Sequence, residues 1–235
     1  MNIVSLWRVI IAEWKIKFVL GGAITVLFWA GYFRLEQLSH PTVTQMPVSA
    51  VDRVIPFTPS AAFVYVSQFI TVPLVVWLMT SRRQLLRCCR GLLLLMGVSF
   101  LVFYFWPTVI SRPGIVPGRF FIYDLVVGAD KSGNACPSLH AAFGIFTAGC
   151  AWEVFRGWRN GQWLIGASWA WTAAILASTL LIKQHVILDL LAGGLLGFVS
   201  WWFVGRTPTL IMAPENDSDS TRASVKPTDS FELKS

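Results

Sequence analysis

Uncharged stretches divide the chain into six apolar segments. Runs without Asp, Glu, Lys or Arg cover 18–33, 54–81, 91–111, 132–152, 160–182 and 190–205. A membrane-spanning helix needs about 20 mostly apolar residues. The runs are too long and too uniformly apolar for the strands of a membrane barrel. The pattern therefore predicts six transmembrane helices, at about 17–34, 60–80, 91–110, 138–155, 161–181 and 185–204.

Two of these helix starts depend on particular residues. Pro56 and Pro59 interrupt the second run, so its helix is expected to begin near Ser60. The last helix begins near His185 if Asp189 lies in a polar site rather than in lipid. The first run ends in a charged segment without a small-residue cleavage site, which favours an uncleaved helix over a signal peptide.

The composition supports a membrane protein and excludes other classes. Of the 235 residues, 55% are hydrophobic and only 13% are charged, whereas an ordinary soluble domain is about one quarter charged. We therefore predict an all-α integral membrane protein, a six-helix bundle over residues 1–206. Residues 3–16 are expected to form an interfacial amphipathic helix. Residues 207–235 are rich in Ser, Thr, Asp and Pro, which is typical of a disordered tail.

The distribution of Lys and Arg predicts the orientation. With six spans, 13 of the 19 basic residues fall on the side of the two termini, and that side is expected to be cytoplasmic. The net charge of +7 then faces anionic membrane lipid, and no soluble basic domain exists to bind nucleic acid. We expect the membrane to be a bacterial inner membrane, with the opposite face extracytoplasmic.

Ionisable residues gather at this outer face. Arg112 ends the third predicted helix and Lys183 ends the fifth, while His140 begins the fourth and His185 begins the sixth, followed by Asp189. Ionisable residues at membrane depth are costly, so they predict a functional site. His40, Asp124 and Asp130 are interpreted instead as solvated loop residues.

The chemistry of this set favours a phosphate ligand. Cys136-Pro137-Ser138-Leu139-His140 reads as a turn followed by a helix start, with Ser138 as the N-cap. The N-terminus of a helix attracts anions, and Arg112 and Lys183 add two positive charges. We predict that Arg112, Lys183, Ser138 and Leu139 bind the phosphate group of a substrate.

The two histidines suit a two-step transfer. His185 and Asp189 are four residues apart and would share a helix face, so the carboxylate would orient the imidazole as a nucleophile. His140 would act as general acid and then as general base. The cations supply the electrostatic stabilisation, so we predict no metal and no cofactor.

These residues resemble the type 2 phosphatidic acid phosphatase (PAP2) superfamily. Its Pro-Ser-x-His block is present at Pro137–His140. Its Ser-Arg-x(5)-His-x(3)-Asp block is matched by Ser178, His185 and Asp189. Its Lys-x(6)-Arg-Pro block is matched only by Arg112-Pro113, because Phe105 stands at the Lys position, and Arg119 or Lys131 are candidates for the missing Lys. Thr179 stands at the Arg position of the Ser-Arg block. Lys183 would share the face of Thr179 on a continuous helix and is the candidate for the missing Arg. This variant pattern is similar to the branch of inositol-phosphorylceramide synthase-like enzymes.

The resemblance implies a lipid phosphatase or pyrophosphatase that works through a phosphohistidine. A phosphotransferase that passes a phospho-head-group to a hydroxyl acceptor stays open as an alternative. So does a non-enzymatic membrane protein, either a haem carrier with His140 and His185 as axial ligands or an anion transporter. The expected partners are a lipid phosphate substrate and membrane lipids.

Overall fold

The computed structural model describes residues 3–38, 42–112, 120–130 and 133–206, and the tail predicted at 207–235 lies outside these ranges. The described part is mainly helical. Its α-helices are α1 Ile3–Ile11, α2 Trp14–Glu36, α3 Ala50–Val54, α4 Ala62–Val66, α5 Gln68–Leu78, α6 Arg82–Phe105, α7 Phe121–Ala129, α8 Leu139–Phe155, α9 Gly161–Leu181 and α10 Ile187–Arg206. A 3₁₀ turn at Pro59–Ala61 leads into α4, and two short strands are β1 Thr44–Gln45 and β2 Thr108–Val109.

Five helical stretches are long and apolar enough to cross a membrane. They are Trp14–Glu36, Pro59–Leu78, Arg82–Phe105, Gly161–Leu181 and Ile187–Gly205. These helices indicate an integral membrane protein. The remaining predicted span corresponds to α8, which is apolar but only 17 residues long. A sixth crossing therefore stays a prediction.

Helix α8 lies at the centre of the bundle. Twelve of its 17 residues are buried, and it packs against α5, α6, α9 and α10. Its side chains meet protein on nearly every side, so they face no broad lipid surface. The residues at its N-terminus are consequently surrounded by the ends of other helices.

Two glycines set the distance between α8 and α10. They are Gly193 and Gly197, one helical turn apart on α10. A Cβ at Gly193 would collide with the main-chain oxygen of Ser138, and one at Gly197 would collide with that of Ala142. Small residues four apart let two membrane helices approach backbone to backbone. The close approach brings the beginnings of α8 and α10 together.

Several helix ends meet at one end of the bundle. Helices α2, α6 and α9 end there, and α4, α8 and α10 begin there. The loops after α2 and α6 are joined by the parallel pair β1–β2, in which Thr44 lies opposite Thr108. The main-chain N–H of Thr58 donates to the carbonyl of Leu181, which links the loop before α4 to the end of α9. The convergence predicted from the ionisable residues is present.

At the opposite end, the N-terminal helix is shorter than predicted. Helix α1 ends at Ile11 rather than near residue 16, because Glu13 takes a left-handed backbone conformation (φ 54°). The buried ammonium of Lys17 donates to the carbonyls of Val9 (2.9 Å) and Trp77 (2.7 Å), which ties the end of α1 to the end of α5. The location of α1 at a membrane interface stays a prediction.

Helix caps account for two further differences, at the starts of α6 and α10. Helix α6 begins at Arg82 rather than residue 91, because Ser81 and Gln84 form a capping box. Its first turns carry charged residues, which a search for uncharged runs leaves out. Helix α10 begins at Ile187 rather than His185, because Asp189 caps it by accepting the main-chain N–H of Val186.

Candidate active site

His185 and Asp189 form a hydrogen-bonded pair. The Nδ1 atom of His185 lies 3.0 Å from Oδ2 of Asp189, and the Asp189 side chain is fully buried. A carboxylate on Nδ1 fixes the tautomer and leaves the Nε2 lone pair for another partner. The pairing expected from the spacing is therefore present.

The backbone that produces this pair is not the continuous helix that was predicted. Lys183 takes a left-handed conformation (φ 57°), and His185 lies in the loop before α10. Asp189 is the third residue of α10, and its Oδ1 accepts the main-chain N–H of Val186 at 3.0 Å. Asp189 thus caps its own helix with one oxygen and holds His185 with the other.

His140 is held by aromatic rings. It is the second residue of α8, and its ring stacks on that of Tyr65 with centroids 4.0 Å apart. The ring of Phe69 meets it edge-on at 6.2 Å. The His140 and His185 ring centroids are 5.8 Å apart. A group bound between the two imidazoles could therefore touch both.

The start of α8 is tied to the start of α10. Ser138 is the predicted N-cap, since its Oγ accepts the main-chain N–H of Ala141 at 3.3 Å. Its own N–H donates to the carbonyl of Asp189 at 3.0 Å. The Ser138 side chain is completely buried, whereas Leu139 lines a cavity beside His140. Phosphate binding by Ser138 and Leu139 stays a prediction.

Arg112 is fixed by Asp130. Its Nη1 donates to the main-chain oxygen of Asp130 at 2.6 Å, and Nη2 lies 3.9 Å from the carboxylate. That carboxylate also accepts the hydroxyls of Tyr32 (2.5 Å) and Tyr65 (3.3 Å). The interpretation of Asp130 as a solvated loop residue was wrong. It connects Arg112 to Tyr65, the ring on which His140 stacks.

Lys183 does not take the place of the missing family arginine in the way predicted. Helix α9 ends at Leu181, so Lys183 leaves the face of Thr179. Its ammonium donates to the carbonyls of Asp52 (2.9 Å) and Ile55 (2.6 Å). Thr179 itself is fully buried, and its hydroxyl donates to Leu176 within the helix.

The other replaced position is exposed. Phe105 is the last residue of α6 and is 77% exposed. Four further residues named from the sequence lie outside the described part of the chain: His40, Pro113, Arg119 and Lys131.

Asp52 supports the loop that carries His185. One carboxylate oxygen accepts the N–H of Ile187 at 2.9 Å, and the other accepts the N–H of Ser49 at 2.8 Å. Burial alone would raise the pKa of Asp52, but these hydrogen bonds and the nearby Lys183 charge hold it below its usual value. The ionised carboxylate thus caps the first turn of α10.

Two cavities meet at His185 and Arg112, and both residues line each of them. We call the first the aromatic cavity; it holds about 240 Å³ and is lined by Tyr32, Tyr65, Phe69, Asp130, His140 and others. We call the second the cationic cavity; it holds about 370 Å³ and is lined by Val48, Asp52, Arg53, Ser111, Lys183 and others.

A third, apolar cavity continues from the aromatic one into the bundle. It holds about 330 Å³ between α2, α5, α6 and α8, and it shares Phe28, Trp29, Phe69, Leu139 and His140 with the aromatic cavity. Together the aromatic cavity and this third cavity extend along α2 from Tyr32 to Ile24. This length is about 12 Å, because a helix rises about 1.5 Å per residue. We call this third space the apolar extension.

Residues 110–211 match the PAP2 superfamily. The matched region begins just before Arg112 and includes His140, Lys183, His185 and Asp189. No curated protein and no solved structure matches the chain. The PAP2 match supports the resemblance at the level of the superfamily and indicates phosphatase-type activity.

Several residues that shape this PAP2-like site were not predicted from the sequence. Tyr65 and Asp130 position His140 and Arg112, and Asp52 holds the loop before α10. The spacing of Ser49 and Asp52 is a capping-box pattern and would have marked a helix start. Nothing in the sequence near Asp130 indicates its partners, because they come from α2, α4 and the loop after β2.

Proposed function

We propose that this protein is a metal-independent lipid phosphatase that removes a phosphate from a lipid monophosphate or diphosphate at the outer face of the membrane. The observation that carries the proposal is the His185–Asp189 pair, 3.0 Å apart, with His140 and Arg112 beside His185 in the aromatic cavity. A nucleophile, its orienting carboxylate, an acid–base group and an anion-binding cation are thus grouped as phosphoryl transfer requires.

The first step forms a phosphohistidine. The Nε2 lone pair of His185 attacks phosphorus, and the bond from phosphorus to the leaving oxygen breaks. His140 gives its proton to that oxygen, so the lipid leaves as a neutral alcohol or as a protonated phosphate. Asp189 stabilises the positive charge that develops on the His185 ring. Arg112 faces the oxygens of the phosphoryl group.

The second step returns the enzyme to its starting state. Water attacks phosphorus from the side that the lipid has left and gives a proton to His140. The P–N bond breaks, and its electrons return to Nε2 of His185. The stacking of His140 on Tyr65 favours this exchange, because it keeps one ring in place for both proton transfers.

The apolar extension supports a lipid substrate. It continues from His140 between membrane-spanning helices and is lined by Phe28, Trp29, Leu92 and Met96, among others. A phosphate between the two histidines would leave a hydrocarbon chain free to lie along this space. Such a chain meets apolar side chains there as it meets apolar tails in the bilayer, so its entry carries no penalty from contact with water.

A phosphotransferase is the second candidate, with a hydroxyl group in place of water. The aromatic walls around His140 favour it, since an alcohol with an apolar body fits them as well as the leaving lipid does. The haem and transporter alternatives explain fewer of these contacts. Ligation of haem iron would not explain the contact between Arg112 and Asp130, and anion transport does not need the His185–Asp189 pair.

The first experiment measures phosphate release by the purified protein in detergent with EDTA present. The substrates are phosphatidic acid, phosphatidylglycerophosphate, a polyprenyl diphosphate and a lipid A phosphate. We expect release that survives EDTA and that His185→Ala lowers by up to about 10⁶-fold, as for other nucleophile deletions. The same protein is also expected to be colourless, unlike a haem protein.

A trapping experiment tests the intermediate. Rapid quenching in base is expected to leave an acid-labile phosphoprotein in the wild type and none in His185→Ala. The melting temperature of the variant in detergent checks that it is folded. Full phosphate release by folded His185→Ala would overturn the proposal, as would release that EDTA abolishes.

A further inference from the structure

Two buried amide side chains line the aromatic cavity. Gln184 is 3% exposed and Asn134 is 8% exposed, and both line this cavity together with His140 and His185. Among the residues that the structure describes, neither side-chain nitrogen has a hydrogen-bond partner, and neither has the side-chain oxygen of Gln184. A polar group buried without a partner is costly, and most buried polar groups in proteins have one. The two amides therefore indicate a polar ligand in the cavity.

The turn after α9 brings Gln184 to this cavity. Lys183 has a left-handed backbone conformation, and the main-chain N–H of Gln184 donates to the carbonyl of Thr179 at 3.0 Å. The Lys183 side chain then lines the cationic cavity, whereas the Gln184 side chain lines the aromatic one. Because Gln184 directly precedes His185, its amide and the nucleophile belong to the same short loop.

Asn134 reaches the cavity from a different loop, the one before α8. Its backbone is left-handed (φ 54°), a conformation that Asn tolerates better than most residues. The preceding Gly133 forms a β-bridge with Val109, and the N–H of Ala135 donates to the carbonyl of Thr108 at 3.4 Å. The loop is thus fixed to β2 on both sides of Asn134, and two separate loops each bring one amide to the same space.

The phosphate-binding residues predicted from the sequence leave room for further donors. A phosphoryl group in transfer carries negative charge on three oxygens. Lys183 donates to two main-chain carbonyls, and the Ser138 hydroxyl is completely buried. Of Arg112, Lys183 and Ser138, only Arg112 lines the aromatic cavity, and one of its nitrogens donates to Asp130. An amide NH₂ group has two N–H donors and suits the remaining oxygens.

We propose that Gln184 and Asn134 are catalytic residues that donate amide N–H groups to the phosphoryl oxygens during transfer. This inference rests on the proposed function and adds two neutral donors to its anion site. His185 Nε2 still bonds to phosphorus, the bond to the leaving oxygen breaks, and His140 protonates that oxygen, while the amides neither gain nor lose a proton. Donors that are already in place stabilise the oxygens without reorganisation.

The first test removes each donor beside a matched control. Gln184→Met keeps the length of the side chain, and Asn134→Gly keeps the left-handed backbone. The controls are Gln37→Met, exposed at the same end of the bundle, and Asn160→Gly, exposed with φ 62°. With phosphatidic acid and with a polyprenyl diphosphate, we expect kcat to fall by about 10²-fold in each cavity variant, as when one oxyanion donor is lost. The controls should keep the wild-type kcat and melting temperature.

A second readout compares two inhibitors, orthovanadate and inorganic phosphate. Vanadium becomes five-coordinate when a nucleophile binds it, with three oxygens in one plane as in phosphoryl transfer, whereas phosphate is tetrahedral. Donors placed for the transferring group bind the planar arrangement better. In Gln184→Met we expect the inhibition constant of vanadate to rise by about 10²-fold and that of phosphate by less than about tenfold. An equal change for both inhibitors would contradict donation during transfer.

Gln184→Glu supplies a third readout that does not depend on the Met variant folding. A neutral carboxyl group has one O–H donor, whereas a carboxylate only accepts hydrogen bonds and repels the phosphoryl oxygens. The ratio of kcat/KM in Gln184→Glu to that in the wild type should therefore fall as the pH rises, by about tenfold per unit above the pKa of the new carboxyl group. The ratio for Gln37→Glu should not change with pH.

The outcomes distinguish this inference from the proposed function. If phosphate release depends on His185 but Gln184→Met and Asn134→Gly keep the wild-type kcat, the inference is wrong and the phosphatase stands. A ratio for Gln184→Glu that is constant with pH, while the variant stays folded, would also overturn it. If folded wild-type protein shows neither phosphate release nor a phosphohistidine, both proposals fail.

Discussion

The two cavities at His185 have walls of different origin. The aromatic cavity is formed mostly by helices, with Tyr32 from α2, Tyr65 from α4, Phe69 from α5 and His140 from α8. The cationic cavity is formed mostly by loops and the short helix α3, over the segments 48–55, 110–112 and 180–186. His185 thus faces an apolar, ring-lined space on one side and a polar, loop-lined space on the other.

Different kinds of contact hold the functional groups on the two sides. On the aromatic side, His140 is held by ring contacts, and Arg112 is held by Asp130. On the cationic side, main-chain carbonyls hold Lys183, and Asp52 caps the helix that follows His185. Ring contacts tolerate an apolar leaving group, whereas the capped loops surround the other side of His185 with polar groups. Variants on the two sides should therefore differ in the size of their effect on turnover.

The largest effect is expected on the aromatic side, from His140→Ala. Loss of a general acid and base typically lowers rates by about 10²–10⁴-fold. Because every substrate loses its leaving group on this side, phosphatidic acid and a polyprenyl diphosphate should be affected equally. Phosphate release measures the turnover of both. His40→Ala is the matched control, and a loss confined to one substrate class would contradict the shared position of the leaving oxygen.

Next comes Gly193→Ala, which changes the distance between the helices that carry the two histidines. The added methyl would press on the main chain of Ser138, and overpacking of this kind costs about 1–3 kcal/mol. We expect a lower melting temperature in detergent and a fall in kcat of about 10²-fold from misplacement of His140. Gly194→Ala is the control, since the nearest atom to its Cβ is 3.9 Å away. Equal behaviour of the two variants would exclude this role for the close approach.

A smaller effect is expected from Asp130→Asn. The amide removes the negative charge beside Arg112 and weakens the links to Tyr32 and Tyr65, so both Arg112 and His140 lose a positioning contact. We expect kcat/KM to fall by about tenfold, the cost of one hydrogen bond to a charged group. Asp124→Asn on α7, the helix that Asp130 follows, is the comparison. If Asp130→Asn leaves both kcat and KM unchanged, the network does not position the site.

The smallest effect is expected from Lys183→Met. The variant removes the donor to Asp52 and Ile55 and one charge from the cationic cavity. We expect kcat/KM for phosphatidic acid to fall by about threefold, because Lys183 contributes a charge and two hydrogen bonds beside His185. Lys15→Met, near the opposite end of the bundle, controls for the loss of charge. Identical kinetics for Lys183→Met and wild type would mean that Lys183 only supports the loop.

Much of the fold could be predicted because membrane helices are encoded locally. The predicted segments near 17–34, 60–80, 161–181 and 185–204 agree with four spanning helices to within a few residues. The predicted and observed starts of helices differed where a capping side chain rather than a charge sets the first residue. Ser81 does so for α6 and Asp189 for α10. The short helix α7 was not expected, since nine residues are too few to produce a clear apolar run.

The candidate site could also be predicted in part, because some of its contacts join residues that are close in the sequence. The pairing of His185 with Asp189 depends on residues four apart, and the N-cap at Ser138 depends on one turn. Asp130 was misread because its partners, Tyr32 and Tyr65, are 98 and 65 positions away along the chain. Contacts of that range leave no periodic signal.

The sequence by itself determined the helical class, the candidate nucleophile and its carboxylate, and the convergence of ionisable residues at one end of the bundle. Apolar length and short-range spacing are sufficient for these. Only the tertiary structure decided that Lys183 turns to main-chain carbonyls, that Asp130 joins Arg112 to Tyr65, and that His185 lies between two cavities. These features depend on a left-handed residue, on helix packing through glycines and on loops brought together from distant parts of the chain.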